Sequence, residues 1–63
     1  MEGKIKFYNE NKGFGFITMD NEEDLFFHVS EIQNQEELTE GDDVRFDIGN
    51  GERGKKAVKV MKL

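Results

Sequence analysis

The sequence predicts an all-β domain, a small closed or nearly closed barrel of five short strands with one short helical turn between the third and fourth. Three observations predict it. Short stretches of alternating apolar and polar residues recur along the chain, separated by turn chemistry at NENKG, DNEED and GNGERG. SEIQ is the only helical signal, and no full helix accompanies it. With 63 residues, no cysteine and one histidine, the chain must stand on a single core as one domain, 1–63; a closed zinc site would need carboxylates around one imidazole. Five short strands without a helix suggest a barrel.

The elements follow in order. The first strand is expected over Glu2 to Tyr8, with Ile5 inward. The second, Phe14 to Met19, puts Ile17 and Met19 on one face with Gly15 and leaves Phe14 and Phe16 on the other. In the third, Leu25 to Val29, Leu25 and Phe27 point in, and Phe26 and His28 point out. The helical turn begins at Ser30, which has capping-box spacing to Gln33, and Ile32 and Leu38 close one end of the core. In the fourth strand, Asp43 to Ile48, Val44, Phe46 and Ile48 alternate with Arg45 and Asp47, so one face is buried. The fifth runs from Ala57 to Lys62. No internal repeat, linker or low-complexity tract interrupts the series.

Charge and hydropathy exclude several classes. The chain has no apolar signal region and nothing near the roughly 20 apolar residues that span a bilayer, so a cytoplasmic protein is expected. The net charge of −5 disfavours a polyanionic partner at first sight. Its distribution is uneven: residues 1–19 sum to +1, residues 20–47 to −10 and residues 48–63 to +4. If the two ends of the chain lie side by side, a basic face can coexist with an acidic back; otherwise both charge classes simply solvate the surface.

Pairing the second and third strands would put three phenylalanines and a histidine on one surface, beside Lys12. Exposed aromatic patches mark binding sites. The alternative is a sandwich in which another layer covers the patch, but little apolar sequence is left to build one. Rings beside cations, with glycines that let another backbone approach, suit unstacked bases, which stack on the rings while Lys or Arg follows the phosphates. That favours single strands over duplex.

KGFGFI followed by DLFFHVS resembles the two ribonucleoprotein motifs of the cold-shock domain family, in that family's order, and EGKIKFYN and GERGKKAVKV resemble its first and last strands. The similarity covers the whole chain and is closest to the bacterial, single-domain type. It implies a five-stranded antiparallel oligonucleotide-binding barrel (OB-fold). It also implies a cytoplasmic monomer that binds single-stranded RNA and DNA, pyrimidine-rich strands best, and acts as an RNA chaperone without cofactor. The RNA-recognition motif shares the KGFGF core, but there the motif order is reversed and two long helices intervene. Carried over residue by residue, the family's nucleic-acid contacts fall on Lys6, Phe7, Asn9, Lys12, Phe14, Phe16, Asp24, Phe26, His28 and Arg53, with Tyr8 at a position only partly in contact. Phe7 stands where members usually have Trp, Val29 replaces a frequent aromatic, and QNQEEL is shorter and lacks a phenylalanine. A shorter footprint and weaker binding are expected. Since Ile5 points inward, Phe7 reaches the binding face only if a β-bulge lies near Lys6 to Tyr8; without one it is core.

Other chemistry is weakly supported. GFGFIT has two glycines of a dinucleotide fingerprint but Thr18 at the third, with no room for the crossover helix. His28 between phenylalanines suits stacking or hydrogen bonding better than general base catalysis, and no nucleophile, base and orienter set can be assembled, so an enzyme is not expected. The rival class is a small-barrel protein-interaction module that docks a peptide or a partner subunit on the same rings. Salt-dependent binding lost on pairing the strand would distinguish the two.

Overall fold

The computed structural model describes residues 1–19, 24–52 and 54–63, at Gln35 the backbone alone. Strands β1 (Glu2–Asn9), β2 (Phe14–Thr18), β3 (Leu25–His28), β4 (Asp43–Gly51) and β5 (Gly54–Lys62) close into a barrel in the order β1-β2-β3-β5-β4. The predicted five-stranded barrel is present, but it is mixed rather than wholly antiparallel: β3 and β5 run parallel, with Phe26 beside Lys56, and the other neighbours are antiparallel. The reason is one of parity. A ring with an odd number of strands cannot alternate direction all the way round, so one seam must be parallel.

The inward alternation fills the barrel. Ile5, Ile17, Met19, Leu25, Phe27, Val44 and Phe46 are buried together with Ala57 and Val60, and Ile32 and Leu38 close the core as expected. Each large side chain removed from water in this way contributes roughly 1.5–3 kcal/mol before entropy is charged. Ile48 departs from the expected alternation and is 40% exposed. The last β1 partner on β4 is Arg45, so Ile48 lies on an arm of β4 paired only with β5.

Strand limits also differ from the sequence reading. β1 runs one residue further, to Asn9, and β2 and β3 stop one residue sooner, at Thr18 and His28. GNGERG is mostly strand, because Gly51 pairs with Gly54 across the hairpin. DNEED lies outside the described residues except for Asp24. The NENKG turn forms as expected, closed by the Gly13 N–H donating to the Asn9 carbonyl at 2.8 Å, with Gly13 at φ 76°.

The single helical turn is instead two 3-10 turns, Val29–Glu31 and Gln33–Gln35. Ser30 caps neither: the first is capped by His28, whose Nδ1 accepts the Ser30 N–H at 3.1 Å, and the second begins at Ile32 with no side-chain cap. An acceptor in place one residue before the turn leaves the Ser30–Gln33 capping box with no role.

Two bulges shape the barrel. In β1 the register passes from Ile5 opposite Ile17 to Phe7 opposite Phe16, leaving Lys6 over, which is the bulge that the first strand needed. In β5, Lys59 takes φ 53°, and the register jumps from Met61 opposite Arg45 to Val58 opposite Asp47. This extra residue puts Ala57 and Val60, three apart, both inward. Beside it the seam is held by a parallel bridge between Ile32 and Val60 and by two carboxylates: Glu31 accepts the Lys59 N–H at 3.5 Å and Glu36 the Lys62 N–H at 3.1 Å.

The terminal strands are not neighbours; they flank β4. The acidic middle and basic ends are interleaved rather than segregated, through Lys4–Asp43, Lys6–Asp24, Lys56–Glu31 and Lys62–Asp42 ion pairs.

Candidate functional site

Alternation turns the even-numbered side chains of β2 and β3 outward, and the register sets them in rungs: Phe14 opposite His28 and Phe16 opposite Phe26. The rings form one connected surface. Phe14 stacks on Phe26 with centroids 5.9 Å apart, and Phe16 meets Phe14 and Phe26 edge-on at 6.1 and 6.0 Å. The β1 bulge brings Phe7 onto the same face, 39% exposed and 6.0 Å from Phe14. Tyr8 goes the other way. It stacks on the core ring of Phe27 at 5.7 Å and packs against the core, and desolvation, aided by the charge of Glu10, raises its phenol pKa. Among the described residues no second layer covers the rings, and Phe26 is 37% exposed.

Polar groups frame this surface. Lys6, the bulged residue, places its Nζ 2.6 Å from Asp24 Oδ2, while the Thr18 hydroxyl donates to Asp24 Oδ1 at 3.2 Å. The hydrogen bond from Lys6 is the main reason that the Asp24 carboxyl sits below its ordinary pKa; partial desolvation opposes it, and the Lys6 charge and Thr18 add to it. At the other end, Asn9 Oδ1 accepts the Lys12 N–H at 3.0 Å and so shapes the turn that carries the exposed Lys12.

His28 accepts a backbone N–H on Nδ1, which requires the tautomer with its proton on Nε2. Ser30 Oγ lies 2.9 Å from the same nitrogen, so this serine–histidine contact belongs to the turn. Of the ten residues singled out in the sequence, Lys6, Phe7, Phe14, Phe16, Asp24, Phe26 and His28 share the outer face of β1–β3, Asn9 and Lys12 stand at its end, and Arg53 lies outside the described residues.

Sequence reasoning missed Lys55 and Lys56. The parallel β3–β5 seam sets Lys56 beside Phe26, and the two lysines line a cleft with Phe16, Phe26 and His28. Only the sheet order reveals this, because nothing local in the sequence specifies which strand β5 meets on its far side.

A small β-barrel with an outward aromatic strip edged by cations defines a surface-binding module. Comparison with known proteins places it further: a model of the "'Cold-shock' DNA-binding domain" family matches residues 1–63, and the chain belongs to that family. Members are non-catalytic modules that bind single-stranded nucleic acid through an aromatic and basic surface. The chain is 51% identical over 65 residues to "Cold shock-like protein CspB" of Bacillus cereus, covering 100% of both. It is 45% identical over 64 residues to "Major cold shock protein" of Streptococcus pyogenes serotype M1, covering 98% of this chain and 96% of the relative. Among solved structures, "drosophila Unr CSD456" superposes with a TM-score of 0.80 at 30% identity, over 98% of this chain and 26% of that longer one.

Proposed function

We propose that this protein binds single-stranded RNA and DNA across the outer face of β1–β3, as a cytoplasmic monomer, and acts as an RNA chaperone that needs no ATP. The observation that carries the reading is the run of four contacting rings, Phe7, Phe14, Phe16 and Phe26, turned to solvent between Lys6 and Lys12. Every unpaired base has a face that can stack on such rings, for roughly 1–3 kcal/mol each, and a paired base does not.

The polar edge suits uracil and thymine. With Asn9 Oδ1 and His28 Nδ1 engaged internally, both side chains offer N–H donors to a ring carbonyl, and the Asp24 carboxylate offers an acceptor to an imino N–H. Beyond the Phe14 and His28 rung the surface changes to Val29, Glu36 and Glu37 around Tyr8, which favours a short footprint.

Holding the open strand and not the duplex pulls pairing toward the open form by mass action. Oligo-U and oligo-dT should therefore bind more tightly than oligo-A or oligo-dA of equal length, in a salt-dependent way. Excess protein should lower the melting temperature of a weak RNA hairpin with a pyrimidine-rich arm. A hairpin whose melting is unmoved at concentrations that saturate the free strand would overturn the chaperone activity, and salt-independent binding would turn the face into a peptide-docking surface.

A further inference from the structure

We propose that the groove beyond the Phe14 and His28 rung docks a cationic segment of a partner protein, an extended peptide with arginine and an aliphatic residue two positions apart. The surface is separate from the strand-binding face, and the inference does not depend on that reading.

The groove lies between the β1–β2 turn and the segment from Val29 to Thr39, and it encloses about 420 Å3. Its border with the ring platform is fixed by the Val29 N–H, which donates to the Gly13 carbonyl at 2.8 Å. Ile32 and Leu38 line it but are core residues that show little of themselves. The apolar surface therefore comes from Val29, 38% exposed, and from half-buried Tyr8, whose ring stacks on Phe27 by one face.

Charge decides what this surface accepts. Glu10, Glu36 and Glu37 line the groove and, among the described residues, no cation does. Glu36 is engaged by the Lys62 N–H, whereas Glu10 and Glu37 have no hydrogen-bond or ion-pair partner among the described residues. The field of Glu10 is felt inside: after desolvation, it is the second cause that raises the Tyr8 phenol pKa. A phosphate backbone is repelled by such a lining. A purely apolar partner would bury the free carboxylates unpaired, at a cost that so small an apolar area does not offset. Arginine meets both demands, because a guanidinium pairs with a carboxylate through two parallel N–H bonds and lies flat on a tyrosine ring. In an extended segment the side chain two positions on points the same way, so an aliphatic residue there covers Val29.

The test is an anisotropy titration of a short fluorescein-labelled peptide with arginine, leucine and arginine at alternate positions between glycines. It is run against the wild type, a Glu10→Gln, Glu37→Gln double variant, Val29→Ser and Phe14→Ala, with amide-shift mapping of the complex and unfolding midpoints to verify that each variant is folded. Glu36 is left in place because it also holds β5. The wild type should bind the peptide and shift the amides of Tyr8, Val29 and residues 36–39. The double variant should bind about three- to tenfold more weakly, the scale of two exposed ion pairs. Val29→Ser should lose about two- to fivefold through its apolar contact, and Phe14→Ala should bind the peptide as the wild type does. Equal affinity in the double variant and the wild type would overturn the proposal. So would a peptide with glycine for leucine that binds undiminished, which would reduce the contact to attraction between an acidic protein and any cationic chain. Loss of binding in Phe14→Ala would move the peptide onto the rings, and oligo-dT that shifts the groove amides as strongly as those of β2 and β3 would make the groove part of the strand-binding face; either result overturns the separate site. A wild type that leaves the peptide unbound overturns the inference outright while leaving strand binding untouched.

Discussion

Gly15 explains how Phe14 and Phe16 can stand two apart on one outward row. A Cβ on Gly15 would sit 2.7 Å from the Phe27 ring and against the carbonyl oxygen of Phe7, so the inward side of β2 at this point holds no side chain at all. Only then can β1 and the Phe27 ring close in beneath the platform. Gly15→Ala is expected to destabilise by about 2 kcal/mol or more, through overpacking against backbone that cannot yield. The rings above tell a different story. Phe14→Ala should weaken single-strand binding by roughly 1–3 kcal/mol, and its cost in unfolding free energy should be of order 1 kcal/mol rather than negligible, because this ring touches Phe7, Phe16 and Phe26. Denaturant titration beside strand titration separates the two quantities. A variant that loses several kcal/mol of stability and keeps its affinity would make Phe14 a core residue.

At the scale of elements, β5 is attached less evenly than the other strands. Its outer edge meets one residue of β3, one bridge at Ile32 and two glutamate carboxylates. Glu36→Ala strips the acceptor from the Lys62 N–H and should cost about 0.5–1.5 kcal/mol. Lys59→Gly relieves a left-handed backbone and should be neutral or stabilising by up to about 1 kcal/mol, while Lys59→Val should destabilise. Urea midpoints decide both; a stable Lys59→Val variant would mean the bulge is not needed.

This strand also marks the limit of what the sequence tells. β1, β2 and β3 are legible because their residues alternate and their neighbours in sequence are their neighbours in space. The β1 bulge is legible only through the family resemblance, which needs Phe7 outside where alternation from Ile5 makes it core, and the register decides for the bulge. The parallel seam brings together residues some thirty apart, Phe26 with Lys56 and Ile32 with Val60, and no local pattern encodes such pairing. Ile48 and Ser30 misled for a related reason: alternation and capping signals report what a residue could do, and the missing neighbour on β4 and the His28 cap decided what it does.

Over the whole molecule, ion pairs knit the acidic middle of the chain to its basic ends, and two aspartates make that visible to pH. Asp42 accepts the Thr39 N–H at 2.9 Å and its hydroxyl at 3.0 Å, with Lys62 at 3.6 Å; the backbone bond first, then the hydroxyl, hold its carboxyl below the ordinary pKa, as Lys6 does for Asp24. Both folded-state values lie under the unfolded value of about 4. Their stabilisation is therefore fully present above that pH and is lost as pH falls through the folded values. Unfolding midpoints should hold from neutrality to about pH 4 and decline below it, and the decline should be shallower in an Asp24→Asn, Asp42→Asn double variant. A decline of unchanged steepness would place the acid-sensitive groups elsewhere.

The thin seam between β3 and β5 gives the barrel the character of a bracelet with a clasp. A ring with one weak joint opens there before it comes apart anywhere else, and amide hydrogens record the order in which that happens. The Lys59 and Lys62 amides, whose acceptors are side chains rather than a neighbouring strand, should exchange with deuterium well before the β2 amides that face β1 and β3. The ring platform reaches this joint at Phe26, which pairs with Lys56, so a bound strand should slow exchange most in β1–β3, up to the seam itself.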